Sequence, residues 1–307
     1  MKISLALGGG GLRGVAHIGV LRALETHGFE IMSIAGTSAG GFVGAVYAAG
    51  FSTEEIEEIF DEFNKNRSFM RRSSEQPSLL GLTSIANLLT DLLGDRTFED
   101  LTIPFTATAV SLHSGREIIL RKGKVSDAVL ATIAVPGVFP SKEIDGKILI
   151  DGGVLDPVPV QVARWMRPDL PVVAVTLHKT PEGWSGEESA LPLTIPGPSQ
   201  IVDRLTKLRP VQALRIFTQS IEIATKQLSD LTMMVDKPEV VISPLVGHIG
   251  ILQNIDAHEM IDAGIQATEE SLTEIKAQSN WMRRMQRKVK HQVLPEKPPD
   301  FWEGYED

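Results

Sequence analysis

The reading turns on residues 1–50, MKISLALGGGGLRGVAHIGVLRALETHGFEIMSIAGTSAGGFVGAVYAAG, which hold 12 of the chain's 27 glycines. Ile3–Leu7 is a short apolar run stopped by Gly8 to Gly11, as a buried strand would be. Val15, Ile18, Leu21 and Leu24 then recur at helical spacing, and Gly28 supplies a C-terminal stop. A second apolar run, Glu30–Ala35, leads into the tight turn Gly36 to Gly40, and Gly41–Ala49 is small and apolar, as a buried helix would be. Strand, turn, helix repeated twice predicts parallel strands with helices packed on both faces. The fold class expected is a three-layer α/β/α sandwich with a mostly parallel central sheet.

Outward from this stretch the pattern continues. Phe105–Ser111, Arg116–Leu120, Ile148–Ile150, Val172–Leu177 and Val240–Ser243 read as strands. Thr53–Phe63, the leucine-rich run 82–93, Val211–Leu228 and Ala257–Lys276 read as helices. Residues 181–199, rich in Pro, Gly and Ser, read as a loop. One domain is expected over 1–276, with 65–95 a candidate lid or cap, followed by a charged extension over 277–307.

Composition narrows the chemistry. The 307 residues contain no cysteine, which excludes disulfides, thiolate zinc sites and a cysteine nucleophile. A net charge of −9 argues against a general nucleic-acid binder. No apolar run reaches the roughly 18 residues of a membrane span. The N-terminus lacks the continuous apolar core of a signal peptide, so the expected location is cytoplasmic.

Two motifs sit at the two strand-to-helix turns. Gly9-Gly10-Gly11-Leu12-Arg13-Gly14 follows the first strand and suits an anion, because glycine N–H groups at a helix start can face a ligand unobstructed. It also fits the G-x-G-x-x-G dinucleotide fingerprint, but the second strand ends in Gly36-Thr37-Ser38 with no acid to hold a ribose. Gly36-Thr37-Ser38-Ala39-Gly40 is a G-x-S-x-G between strand and helix, the context in which a serine oxygen is exposed as a nucleophile. Adjacent parallel strands end on one sheet edge, so these two turns should meet, one supplying a nucleophile and the other oxyanion donors.

A serine nucleophile needs a base. His113, His178, His248, His258 and His291 lie downstream, and only His248, in Gly247-His248-Ile249-Gly250, has motif character. The alternative is Asp151, in Ile148-Leu149-Ile150-Asp151-Gly152-Gly153, at the end of a strand. An aspartate before two glycines is also a common turn former.

Together these motifs resemble the bacterial patatin-like phospholipases. The glycine loop matches that family's G-G-G-x-R-G, the elbow its G-x-S-x-G, and Asp151-Gly152-Gly153 its D-G-G/A. Ala134-Val135-Pro136-Gly137-Val138-Phe139-Pro140 is similar to its proline segment. One departure is Asp156-Pro157, where many relatives carry paired asparagines.

The resemblance implies a serine acyl hydrolase of the esterase, lipase or phospholipase A type, with no cofactor or metal. Ser38 would attack the ester and Asp151 would take its proton, without a histidine. The N–H groups of Gly9, Gly10, Gly11 and Ala39 would hold the oxyanion, with Arg13, Gly14, Gly36, Gly40, Gly152 and Gly153 in support. Arg13 reads either as a charge stabiliser or, preferably, as a brace for the loop, and His17 as structural. Set against this are a nucleotide-binding protein and a catalytically silent adaptor on the same fold.

A lipid or acyl-ester substrate raises the question of membrane contact. Lys65 to Arg72 is basic with aromatic character, and the leucine-rich helix after it could enter an interface or pack over the sheet. Residues 281–297 carry six cations against one glutamate, beside the apolar Trp281, Met282, Met285 and Val289. That stretch suits either peripheral contact with anionic lipid or a solvated tail.

Overall fold

The computed structural model describes residues 1–69, 82–177, 209–247, 257–293 and 302–303. The chain opens with β1 (Lys2–Leu7), the 3-10 turn Gly11–Val15, α1 (Ala16–Thr26), β2 (Glu30–Gly36) and α2 (Ala39–Ala48). Then come α3 (Thr53–Phe69), α4 (Leu82–Leu93), β3 (Phe105–Ser111), β4 (Glu117–Leu120) and α5 (Val125–Thr132). Next are β5 (Lys142–Ile144), β6 (Lys147–Asp151), α6 (Val160–Met166) and β7 (Val172–Val175). The chain closes with α7 (Arg209–Asp236), β8 (Val240–Ile242), α8 (Ala257–Gln278), α9 (Trp281–Val293) and β9 (Trp302–Glu303).

Alternation along the strands builds the layers. Ile3, Leu5 and Leu7 of β1 face the larger core, with α1, α2, α5 and α8. Ala6, Ala35 and Ala174 face the other side, under Val160, Val162 and Ala163 of α6. Small residues on that face let α6 sit close enough for the Ser4 hydroxyl to reach the Ala163 carbonyl at 3.1 Å. On the larger face α1 crosses α8 in backbone contact, because a Cβ at Gly19 or Gly264 would collide with a main-chain carbonyl of the other helix.

The parallel core runs β8-β7-β1-β2-β3, as the first fifty residues predicted. Beyond β3 the direction changes. β4 and β6 both pair antiparallel to β3, and β5 pairs antiparallel to β6. Ala107 pairs with both β2 and β4, while Ala109 and Val110 pair with both β4 and β6. A strand has two edges, so β2 and β6 share one edge of β3 and run toward each other. Their C-terminal ends meet there: Gly36 lies opposite Ala107 and Asp151 opposite Ala109.

The described part of the C-terminal extension folds back. In α9, Arg284 reaches Asp169 at 3.2 Å and Arg287 reaches Glu239 at 3.5 Å, while β9 pairs parallel with β4. Asp169 and Glu239 precede β7 and β8, so α9 lies at the sheet edge opposite the strand ends that carry Gly36. Met282, Met285 and Val289 are exposed on it. The expected loop 181–199 and the patch centred on Met70-Arg71-Arg72 lie outside the described residues.

Candidate active site

The elbow forms because α2 starts almost on top of β1. A Cβ at Gly40 would collide with the Leu7 carbonyl, and one at Gly36 would lie 2.7 Å from the Gly40 oxygen. Between these glycines Ser38 takes φ 53° and ψ −122°, a conformation that costs a non-glycine residue about 1–3 kcal/mol.

Hydrogen bonds hold the turn. The Thr37 N–H donates to the Leu7 carbonyl at 3.0 Å, and the Ser38 N–H to Thr132 Oγ1 at 2.9 Å. The Thr37 hydroxyl donates to the Asp156 carbonyl at 2.9 Å. Its single proton is thereby used, so Thr108 Oγ1, 2.7 Å away, is the donor in that contact.

The glycine loop abuts the elbow. A Cβ on Gly9 would lie 3.2 Å from Ser38 Cβ, and one on Gly14 would lie 2.5 Å from Ala39 Cβ. The Gly9 N–H donates to the Pro157 carbonyl at 2.9 Å. Gly9 is thus a close-approach residue whose N–H already has an acceptor, where the motif led to the expectation of a free donor. The N–H groups of Gly10, Gly11 and Ala39 donate to no acceptor among the described residues. Gly11 starts the 3-10 turn and Ala39 starts α2, where N–H groups are left over.

Arg13 is buried and pairs with Glu222 of α7 at 2.7 Å, so it braces the loop against a carboxylate. His17 is fully buried and donates from Nε2 to the Gly8 carbonyl at 2.8 Å. Burial pushes its pKa down to about 4 against the raising effect of that bond, so the ring is neutral and pins the loop's first residue.

Asp151 reaches the same place from the other direction. Its N–H donates to the Ala134 carbonyl at 3.0 Å, and Oδ1 accepts the Gly153 N–H at 2.7 Å. Gly152 lies so close to Thr108 that a Cβ there would collide with the Thr108 hydroxyl. Burial raises the Asp151 pKa to about 6, with the neighbouring Ser38 hydroxyl and the Gly153 N–H pulling it down. Oδ2 has no full hydrogen bond. The Ser38 hydroxyl nonetheless lies near enough to lower the carboxyl's pKa.

A cavity of about 130 Å³ opens beside Ser38. Its lining is apolar, with Leu12, Phe42, Phe60, Ile85, Leu88 and Phe139 among the contacts. Phe42 and Phe60 meet edge to face with centroids 5.5 Å apart. The helix 82–93 packs on the domain through the buried Leu89 and Leu93, and its Ile85 and Leu88 line the cavity.

Of the downstream histidines, His113 and His258 are exposed, and His258 lies 3.5 Å from Glu57. His178 and His248 lie outside the described residues. Motif reading did not find Thr37, Thr108, Thr132 or Glu222, since single threonines and glutamates carry no pattern. It also missed a carboxyl cluster behind the elbow. Asp156 sits near Glu117 and Asp236, and burial together with the Asp236 charge raises its pKa to about 7.

Residues 5–164 match the family model described as patatin-like phospholipase. An uncharacterized NTE family protein of Mycobacterium tuberculosis is 38% identical over 188 residues, covering 59% of this chain and 51% of the relative. Lysophospholipase NTE1 of Candida albicans is 32% identical over 168 residues, 52% of this chain and 12% of that protein. The crystal structure of VipD from Legionella pneumophila aligns with 90% of this chain and 67% of its own, at 12% identity and a TM-score of 0.48. The chain spans about half the length of the mycobacterial relatives it matches.

Proposed function

The chain belongs to the patatin-like phospholipase family, and on that premise we propose that it hydrolyses fatty acyl esters of lipids through Ser38 and Asp151. One observation carries the reading. A serine in a strained elbow and a buried carboxyl from a second strand converge beside an apolar cavity, with three uncommitted N–H groups next to them.

In the proposed mechanism the acyl chain lies in the cavity and its carbonyl meets Ser38. Ser38 Oγ attacks the carbonyl carbon while Asp151 takes the hydroxyl proton. With a pKa near 6, Asp151 is ionised at neutral pH and a stronger base than a carboxylate in water. The N–H groups of Gly10, Gly11 and Ala39 stabilise the oxyanion, each worth about 2.7–4 kcal/mol of barrier by comparison with single-donor losses elsewhere. Collapse expels the alcohol, which takes the proton from Asp151. Water, deprotonated by the same carboxylate, then cleaves the acyl-serine and frees the fatty acid.

Contact with a lipid surface belongs, on this reading, to the side of the molecule where the cavity opens. The position of α9 at the opposite sheet edge favours that side over the cationic tail. A dinucleotide reading is not favoured, because the glycine loop abuts Ser38 and an apolar wall, and β2 ends without an acid. An adaptor role is disfavoured by the complete dyad.

The test is hydrolysis of p-nitrophenyl esters and labelling by a fluorophosphonate. Ser38→Ala should lose both, Asp151→Asn should lose hydrolysis, and His248→Ala should keep both. Full hydrolysis in Ser38→Ala would sink the proposal, and a severe loss in His248→Ala would replace the dyad by a triad.

A further inference from the structure

The segment that leaves α5 touches both halves of the dyad. Thr132, the last residue of that helix, is fully buried, and its Oγ1 accepts the Ser38 N–H at 2.9 Å. Two residues later the Ala134 carbonyl accepts the Asp151 N–H at 3.0 Å. The intervening Ile133 and the following Val135 line the apolar cavity. Within four residues, then, polar groups at even positions hold the nucleophile and the acid, while odd positions border the substrate's place.

We propose that Thr132 is a positioning residue for the hydrolysis. It ties the backbone of Ser38 to the same short segment that ties the backbone of Asp151, and so fixes the distance across which the proton passes. The proposal rests on the Ser38–Asp151 reading of the site.

Three physical points support it. Ser38 sits in a high-energy conformation, so its backbone relaxes unless something restrains it. Its N–H is buried, and Thr132 Oγ1 is the acceptor the structure gives it; without that oxygen the donor is left unsatisfied. Thr132 itself cannot swing away, because its Cγ2 packs against α2, where a Cβ on Gly41 would approach to 2.6 Å. The threonine methyl sets the rotamer and the hydroxyl does the holding. Serine keeps the hydroxyl, and valine keeps the shape without it.

The experiment measures kcat and KM for p-nitrophenyl ester hydrolysis by the full chain from about pH 4.5 to about pH 9, with denaturant unfolding in parallel. Thr132→Val should lower kcat about 10- to 100-fold with KM within about twofold, the size expected of a misplaced reacting group. Its acid limb should move upward, because a displaced Ser38 hydroxyl no longer holds the Asp151 pKa down. Thr132→Ser should stay within about threefold of the parent in kcat.

A Thr132→Val that loses stability but keeps its kcat and its acid limb would overturn the proposal. So would a Thr132→Ser as impaired as Thr132→Val, since the methyl would then be what matters. If Thr132→Val does not fold, Thr132→Ala against Thr132→Ser carries the same comparison. Ser38→Ala, run alongside, separates the two levels. Hydrolysis persisting there removes the dyad reading itself, whereas an inert Ser38→Ala beside a fully active Thr132→Val removes the positioning role alone.

Discussion

Asp151→Asn should inactivate the protein and at the same time make it more stable at neutral pH. The Asp151 carboxyl is buried, and burial raises its pKa from 3.8 to about 6. Each pKa unit corresponds to about 1.36 kcal/mol, so holding this carboxylate ionised in the folded state costs about 3 kcal/mol above pH 7. The sign follows from proton counting. Between pH 3.8 and about 6 the folded chain binds more protons at this site than the unfolded chain, so stability falls as pH rises through that window. Below it both states are protonated and the cost vanishes. Asparagine carries no charge at any pH, and its carbonyl can still accept the Gly153 N–H that Oδ1 accepts now. Urea unfolding at about pH 8 should therefore favour Asp151→Asn by up to about 3 kcal/mol, with the gain fading near pH 4. The parent's kcat/KM should rise tenfold per pH unit up to about pH 6 and level off above, because only the ionised carboxyl can accept the serine proton. A variant no more stable than the parent at pH 8, or equally favoured at both pH values, would refute the claim that a desolvated charge is maintained here for chemistry.

Other outcomes follow from single contacts. Glu222→Gln should destabilise the fold in urea unfolding, because it removes the carboxylate that faces the buried Arg13 guanidinium at 2.7 Å. Arg13→Met combined with Glu222→Met should cost less than the sum of the two single changes, since the pair is removed together. Phe60→Ala removes one half of the edge-to-face pair and deepens the cavity; across p-nitrophenyl esters of increasing length, the preferred acyl chain should lengthen. Ser38→Gly should be inert toward esters yet more stable to urea by about 1–3 kcal/mol, because glycine tolerates a φ of 53° without strain.

The turns that carry Ser38 and Asp151 were legible because each is written locally. A strand, a tight glycine turn and a helix occupy consecutive residues, and so do Asp151, Gly152 and Gly153. The direction of β6 was not legible. Placing Asp151 by the strand-end rule of parallel sheets reached the right edge by the wrong route, since β6 runs against β3 and arrives beside β2 head-on. Hairpin and crossover connections look alike in a short apolar run. The short helices α5 and α6 were missed for want of two full apolar turns. The Gly9 N–H contact was not legible, because a motif shows which N–H groups can be free, not which have found acceptors. Its acceptor, Pro157, lies far along the chain, as does the partner of Arg13.

The geometry separates chemistry from selection. Hydrogen bonds from β1, β3, the exit of α5 and the Asp156–Pro157 turn fix Ser38, Asp151 and the glycine loop. The threonines at 37, 108 and 132 are fixed with them, each within hydrogen-bond reach of a specific buried partner, so exchanges there disturb the dyad. The cavity, by contrast, is shaped largely by side chains on α2, α3 and α4, with Leu12 and residues after α5, whose apolar contacts make no directional demands. Volume-conserving exchanges at Phe42, Phe60, Ile85 or Leu88 cost little stability and leave the elbow untouched. On the proposed function, substitutions at these lining positions should shift acyl-chain preference while leaving Ser38 and Asp151 in place, and α3 and α4 offer the freest positions for such change.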